Sequence, residues 1–282
     1  MYHAKECGRD DFQFFTNELN LRAASARNLE QRMRGGMQEH QFRLYYQPIV
    51  DIDADRVIGA EALLRWPDSG VAPEQFIPVA ECTGLINQLG EWALGEACRQ
   101  QRAWHMNGMS DITVSVNVSP VQFRQPGFRC MVSRIVQESG IDPGCLQLEI
   151  AENIVLQNLA AVLDTLRALR QLGMHVVLDD FGKGFSNLSY LKLLPVDAIK
   201  IDRDFVRDLT TDRGNRAIAA AIINLGRELG LQVIAEGIES EATLQSLHAR
   251  HCAAIQGFHI CEPLPTADFE NWYRIHAEHA MT

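Results

Sequence analysis

The 282-residue chain has no apolar run approaching the roughly 18 residues that a membrane span requires, and its start, Met1-Tyr2-His3-Ala4-Lys5-Glu6, carries no apolar signal core. The expectation is a soluble, cytoplasmic chain that is not secreted and makes no membrane contact of its own. Its seven cysteines are scattered and form no Cys-x-x-Cys pair, so neither a zinc site nor a disulfide framework is readable. Glycine and proline, at 20 and 10 residues, are too few for a collagenous or low-complexity chain. Lys and Arg nowhere cluster, and 26 of them face 36 Asp and Glu, a net charge of −10. That balance excludes a protein that tracks the phosphates of DNA or RNA, because such binding rests on clustered cations. It leaves a small anionic ligand open.

What is present is a repeating alternation of short β-type runs and helical patterns. Strands are expected at 43–51, 57–66, 112–118, 145–150, 175–179, 198–201, 232–235 and 253–256. In the third, Ile112, Val114, Val116 and Val118 alternate with Thr113, Ser115 and Asn117, the period of a strand with two different faces. Helical stripes run through Leu159, Val162, Leu163, Leu166, Leu169 and Leu172, ended by Gly173, and through Ile218, Ile222, Leu225 and Leu229, ended by Gly230. Eight strands, most followed by a helix, predict a TIM-type (β/α)8 barrel. Only residues 52–56 separate the first two strands, too few for a crossover helix, so the first strand is expected to be antiparallel. Residues 1–40 form a lead-in segment, where Leu29, Met33 and Met37 predict a helix weakened at Gly35-Gly36; the barrel domain is expected over 41–282.

Catalytic groups of such barrels sit at the C-terminal ends of the strands. Here those ends carry Glu61, Asn117, Glu149, Asp179, Asp180, Lys200, Asp202 and Glu236, with no Ser-His-Asp or Cys-His set. Singly, each has an ordinary explanation as a turn former, a helix cap or a surface charge. Together, so many acids at one barrel mouth repel one another unless cations compensate them. Oxygen donors without Cys or His suit Mg²⁺ or Mn²⁺. The adjacent Asp179-Asp180 allows one carboxylate to bridge two ions about 3.5–4 Å apart, an arrangement used in phosphodiester hydrolysis.

These residues carry a family resemblance. Tyr46-Gln47-Pro48 followed by Glu61-Ala-Leu-Leu-Arg65-Trp resembles the signature of EAL-domain cyclic-di-GMP phosphodiesterases. The match continues in order through Asn117-Val-Ser119, Glu149-Ile-Ala-Glu152, Asp179-Asp-Phe-Gly-Lys-Gly184, Lys200-Ile-Asp202, Ala235-Glu-Gly-Ile-Glu239 and Gln256-Gly257. The resemblance implies hydrolysis of cyclic di-GMP to linear pGpG with two Mg²⁺ or Mn²⁺ ions, Ca²⁺ being inhibitory. It implies metal ligands at Glu61, Asn117, Glu149, Asp179, Asp180 and Glu236, with Lys200 positioning the attacking water and Glu236 available to take its proton. Gln47, Arg65, Asp202, Gln256 and Gly257 would contact substrate. Glu152 and Glu239 would support the ligands from behind, Glu152 steadying the loop that begins at Phe181 and Gly182 and runs to Leu188. That loop and the helix after it lie at the family's homodimer contact. A receptor that binds the nucleotide without cutting it is the alternative, but such domains usually lose metal ligands and this chain keeps them all.

The chain departs from the family pattern at Lys183 and Asn187, where Thr and Ser are usual, at Phe185 for Tyr, at Ala151 for Thr, and at Cys261-Glu262 before Pro263. Residues 2–10 and Phe12-Gln-Phe-Phe15 are similar to the last helix and strand of a GGDEF diguanylate cyclase domain, which implies a GGDEF-EAL parent and leaves open an inner-membrane anchor there. Assigning Glu61, Glu149, Glu152, Asp179, Asp180, Glu236 and Glu239 to the pocket reduces the surplus elsewhere from −10 to −3. Most of the chain's net surplus of negative charge is thus local to one site.

Overall fold

The computed structural model describes residues 7–156, 158–183 and 188–280. It divides into two compact units, residues 1–43 with 65–89, and residues 44–64 with 90–282. The first contains the helix Cys7–Gln38, which runs through Gly35-Gly36 without a break. Phe12–Phe15, the segment similar to a GGDEF strand, lies within this helix, and residues 18–33, mostly Leu, Ala, Arg, Glu and Gln, favour helix by propensity. Residues 1–6 of the GGDEF-like segment lie outside the described residues. Within this unit Met33 is buried, Trp66 stacks on Phe42 with ring centroids 5.0 Å apart, and Trp66 Nε1 donates to Gln41 at 3.0 Å.

The second unit holds the barrel. Its strands are β1 (Arg43–Asp51), β2 (Arg56–Arg65), β3 (Thr113–Val118), β4 (Leu146–Ala151), β5 (His175–Phe181), β6 (Ala198–Ile201), β7 (Gln232–Ala235), β8 (Ala254–Ile255) and the two-residue β9 (Leu264–Pro265). From β2 to β8 all neighbours pair in parallel, and β1 closes the ring, antiparallel to β8 and paired with β2 across the turn at 52–55. The expected barrel and its inverted first strand are both present. β9, which continues the pairing along β1 opposite Tyr45 and Tyr46, is too short to leave a periodic signal.

Strand alternation sorts the side chains. One set, including Ala60, Val114, Val116, Leu148, Ile150, Leu178, Ile199, Ile201 and Val233, is buried with the inner faces of the surrounding helices, among them Val132, Ile135, Leu166, Leu169, Ile222 and Phe269. The other set fills the barrel: Ile49, Val177, Ala198, Ile234 and Ala254 form a separate apolar plug with Ile58 against it. One alternation further toward the strand ends, the same inward rows become Gln47, Glu61, Asn117, Glu149, Asp179, Lys200, Glu236 and Gln256. Each buried aliphatic side chain contributes about 1.5–3 kcal/mol. Apolar layers on both sides of the strands therefore let the barrel mouth be polar and still be held in place.

The helix Leu159–Gln171 buries its expected stripe and ends at Leu172, with Gly173 at φ 91° just beyond. The helix Arg213–Leu229 differs from expectation: its buried face is Ala219, Ile222, Ile223 and Gly226, while Ile218 and Leu229 are exposed. Gly226 accounts for the rotation, because a Cβ there would overlap the Val233 side chain, so the helix lies close to β7 along that residue.

Candidate active site

Four strands contribute the central cluster. Lys200, fully buried at the end of β6, directs its Nζ to Glu61 Oε2 at 2.9 Å, Glu149 Oε2 at 2.8 Å and Glu236 Oε1 at 2.6 Å. An ammonium has three hydrogens, and all three are used. Asn117 Nδ2 donates to the other oxygen of Glu61 at 2.6 Å, and Gln256 Nε2 donates to Glu61 Oε2 at 2.7 Å and Gln47 Oε1 at 2.9 Å. Gln47 in turn donates to the Cys261 carbonyl at 3.0 Å. Sequence positions 47 to 261 are thus joined in one hydrogen-bonded layer across the barrel mouth.

Asp179 and Asp180 are separated by a backbone irregularity. Successive residues of a strand point to opposite faces, but Asp180 adopts φ 54° and the β5–β6 register shifts between Leu178 and Phe181. Asp179 is thereby sent inward, close enough to Lys200 and Glu61 to feel both charges, while the Asp180 side chain is 46% exposed. A second cluster forms beside it: Lys183 Nζ lies 3.1 Å from Asp180 Oδ1 and 2.6 Å from Asp202 Oδ2. The other oxygen of Asp202 accepts from the Asp204 N–H at 2.9 Å and caps the short helix Arg203–Val206. Glu152 Oε2 accepts from the Gly182 N–H at 3.0 Å, the tether expected for that loop. Phe181 is buried and Gly182 has φ 104°, whereas residues 184–187, with Phe185 and Asn187, lie outside the described residues.

Charge and burial set the protonation pattern. One ammonium cannot neutralise four acids. Burial works to raise Glu61, but the attraction of Lys200 and hydrogen bonds from Lys200, Asn117 and Gln256 outweigh it and hold its pKa low. Burial, with repulsion from Glu61, drives Glu149 well above the carboxylate range; burial likewise raises Asp179 and pushes Glu236 up to about 8. Without divalent cations Glu236 keeps, up to about pH 8, a proton that an unfolded glutamate loses near pH 4.5, and Glu149 and Asp179 are shifted in the same direction. Between there and about pH 8 the folded state binds more protons than the unfolded one, so stability falls as pH rises. Glu61 and Asp202, held low, act with the opposite sign but below the ordinary carboxylate range. Thermal melts of chelator-treated protein should therefore show Tm declining from about pH 5 to about pH 8, with Mn²⁺ recovering more of it at the upper end. A profile that rises over that interval would contradict this reading of the cluster.

Among the described residues, no three His, Cys, Asp or Glu side chains stand in a geometry ready to hold an ion. The reason is visible: Lys200 occupies the point where the acids converge. The donor chemistry nevertheless fits hard cations. The set is all oxygen, it carries more negative charge than Lys200 offsets, and Glu149 Oε1 is buried without a hydrogen-bond partner.

A cleft of about 260 Å³ opens over the cluster, walled by Gln47, Glu61, Leu63, Asp179, Arg203, Glu236, Gly237, Glu239, Gln256, Gly257 and Phe258. Glu239 stands on this wall and is exposed, rather than behind the ligands as expected. Asp202, expected at substrate, has both oxygens occupied by Lys183 and the helix cap. Gly257 approaches the backbone of Ile238 so closely that a Cβ would overlap its N and O atoms, which gives this glycine a packing reason beside its place in the cleft. Arg65 is the last residue of β2. Leu63, Arg203, Gly237 and Phe258 join this wall without a chemical signature of their own in the sequence. Each is inside, or one position beyond, a motif already noted, and that adjacency was the available signal.

A family model described as "EAL domain" matches residues 28–263. The chain is 41% identical over 268 residues, 94% of its length, to the bifunctional diguanylate cyclase/cyclic di-GMP phosphodiesterase MucR of Pseudomonas aeruginosa. It is 36% identical over 277 residues, 97% of its length, to the cyclic di-GMP phosphodiesterase NbdA of the same organism. These matches span only 39% and 35% of the two relatives. A solved structure described as PaMucR phosphodiesterase in complex with c-di-GMP superposes with a TM-score of 0.83 at 41% identity, covering 86% of this chain and 99% of that one.

Proposed function

The chain belongs to the EAL-domain family, whose phosphodiesterases are generally metal-dependent, and from that premise we propose that it hydrolyses cyclic di-GMP to linear pGpG. The observation that carries the reading is the intact layer of oxygen donors: the acids Glu61, Glu149, Asp179 and Glu236 and the amide of Asn117 lie at one barrel mouth, with Asp180 beside it. We assign these six residues as ligands of two Mg²⁺ or Mn²⁺ ions. Bound there, the cations supply charge neutralisation for the phosphate and lower the pKa of an attacking water.

The protein's own groups do the remaining work. Lys200 keeps Glu61, Glu149 and Glu236 gathered, and any of these carboxylates that turns away from it leaves an ammonium hydrogen for a water molecule. Glu236, gathered by Lys200 at the barrel mouth, is the carboxylate available to accept that water's proton once bound cations hold it deprotonated. Gln47 and Gln256 present an amide pair on the cleft wall, and Arg65 suits a phosphate because its planar fork donates two hydrogen bonds at once. Glu152 holds the loop after β5 through Gly182. We read residues 1–40 as the end of an upstream GGDEF domain plus a linker helix, and the active form as a homodimer. Among the described residues no helix is long and apolar enough to cross a membrane.

Incubation of the protein with cyclic di-GMP and chromatography of the products tests the assignment. Mg²⁺ or Mn²⁺ should support formation of pGpG, EDTA should stop it, and Ca²⁺ should inhibit, because its looser coordination shell distorts a site suited to octahedral ions. Binding with no linear product under any of these metals would favour a receptor instead.

A further inference from the structure

Lys183 stands where the family pattern has an uncharged residue, and it occupies the second acid cluster much as Lys200 occupies the first. Its ammonium is 3.1 Å from Asp180 and 2.6 Å from Asp202. The two acids differ in kind. Asp202 is 3% exposed and fixed by its cap on Asp204, so it anchors the lysine; the Asp180 side chain is 46% exposed, meets Lys183 through Oδ1 and lies against the Asp202 side chain. Asp180 also sits at the left-handed residue near the end of β5, and its carbonyl accepts the Lys183 N–H, so the turn that follows keeps the lysine beside it. A divalent cation that uses Asp180 must share this carboxylate with an ammonium or displace it. It must then remain beside that ammonium, because Asp202 keeps Lys183 in place.

We propose that Lys183 is a positioning residue that acts as a tethered competitor for the second cation: it holds Asp180 while that site is empty and weakens divalent binding there. The proposal rests on the assignment of Asp180 as a ligand. Its consequence is graded occupancy, in which the first ion binds at the acids around Lys200 and the second only at higher free metal. Activity then responds to metal concentration over a range that Lys183 sets.

The test is Mn²⁺ binding by titration calorimetry, with bound Mn²⁺ counted by electron paramagnetic resonance, on the full chain and its Lys183→Thr and Lys183→Arg variants. Two unequal sites are expected in the parent protein. Lys183→Thr should tighten the weaker one by at least about threefold, the scale of a half-exposed charge pair, and leave the tighter one unchanged; Lys183→Arg, which keeps the charge, should not tighten it. Two sites with the weaker one unmoved in Lys183→Thr would overturn the proposal and leave the ligand assignment standing. An Asp180→Ala variant that still binds two ions with parent affinities would overturn the ligand assignment and the proposal with it. Thermal melts of each variant show that the binding changes arise in folded protein.

Discussion

Asp179→Asn is expected to lower turnover of cyclic di-GMP by about a thousandfold or more, equivalent to about 4 kcal/mol of transition-state stabilisation, while the fold persists. Asparagine preserves the side chain's volume and one oxygen, and that oxygen can still accept the Asp180 N–H that Asp179 Oδ1 accepts at 2.7 Å. What disappears is a negative charge that burial and the neighbouring Glu61 and Asp180 already disfavour. The metal-free variant should therefore melt at or above the parent temperature, and the whole loss should fall on chemistry and cation binding. Near-parental rates would show that Asp179 is not a cation ligand. A large fall in Tm would show that it serves the fold.

Lys200→Met should produce the reverse pattern, a large loss of stability together with loss of activity. Three carboxylates, Glu61, Glu149 and Glu236, lose their shared ammonium in a fully buried position. Removing one partner from a buried charge cluster costs about 3–5 kcal/mol. At about 2–4 °C per kcal/mol for a domain of this size, Tm should fall by about 10 °C. Protons can partly replace the lost charge, since burial already favours the protonated forms of Glu149 and Glu236. The deficit should therefore be smaller near pH 5 than near pH 8. Mn²⁺ should restore part of it, and an unchanged Tm at both pH values would refute the counter-ion role.

The barrel was legible because its signal is redundant. Seven parallel strands repeat one alternation, and the turn at 52–55 is too short for anything but an antiparallel pair. Boundaries moved by one or two residues where pairing, rather than hydropathy, ends a strand: β5 continues to Phe181 because Phe181 pairs with Ile201 beyond the bulge. The exposed Ile218 and Leu229 were misplaced because hydropathy does not record how near a helix lies, which Gly226 and Val233 decide. In the site, the identity of the acids was readable, but the partners of the lysines were not. Lys200 and Lys183 are distributed among five carboxylates by side-chain packing across strands 139 and 51 residues apart in sequence and within one three-residue turn. No spacing rule encodes that division. Asp202 illustrates the same point: its motif suggests substrate, while its burial and helix cap show a structural commitment.

The most direct measurement is a single turnover of cyclic di-GMP by the full chain with Mn²⁺ in heavy-oxygen water, followed by mass spectrometry of the product. Water-driven opening of one phosphodiester bond predicts pGpG carrying one heavy oxygen on its terminal phosphate, and no such product with EDTA or in Asp179→Asn. Cyclic di-GMP recovered bound but uncut, or cut without incorporation of the label, would contradict the hydrolytic, metal-dependent site described above.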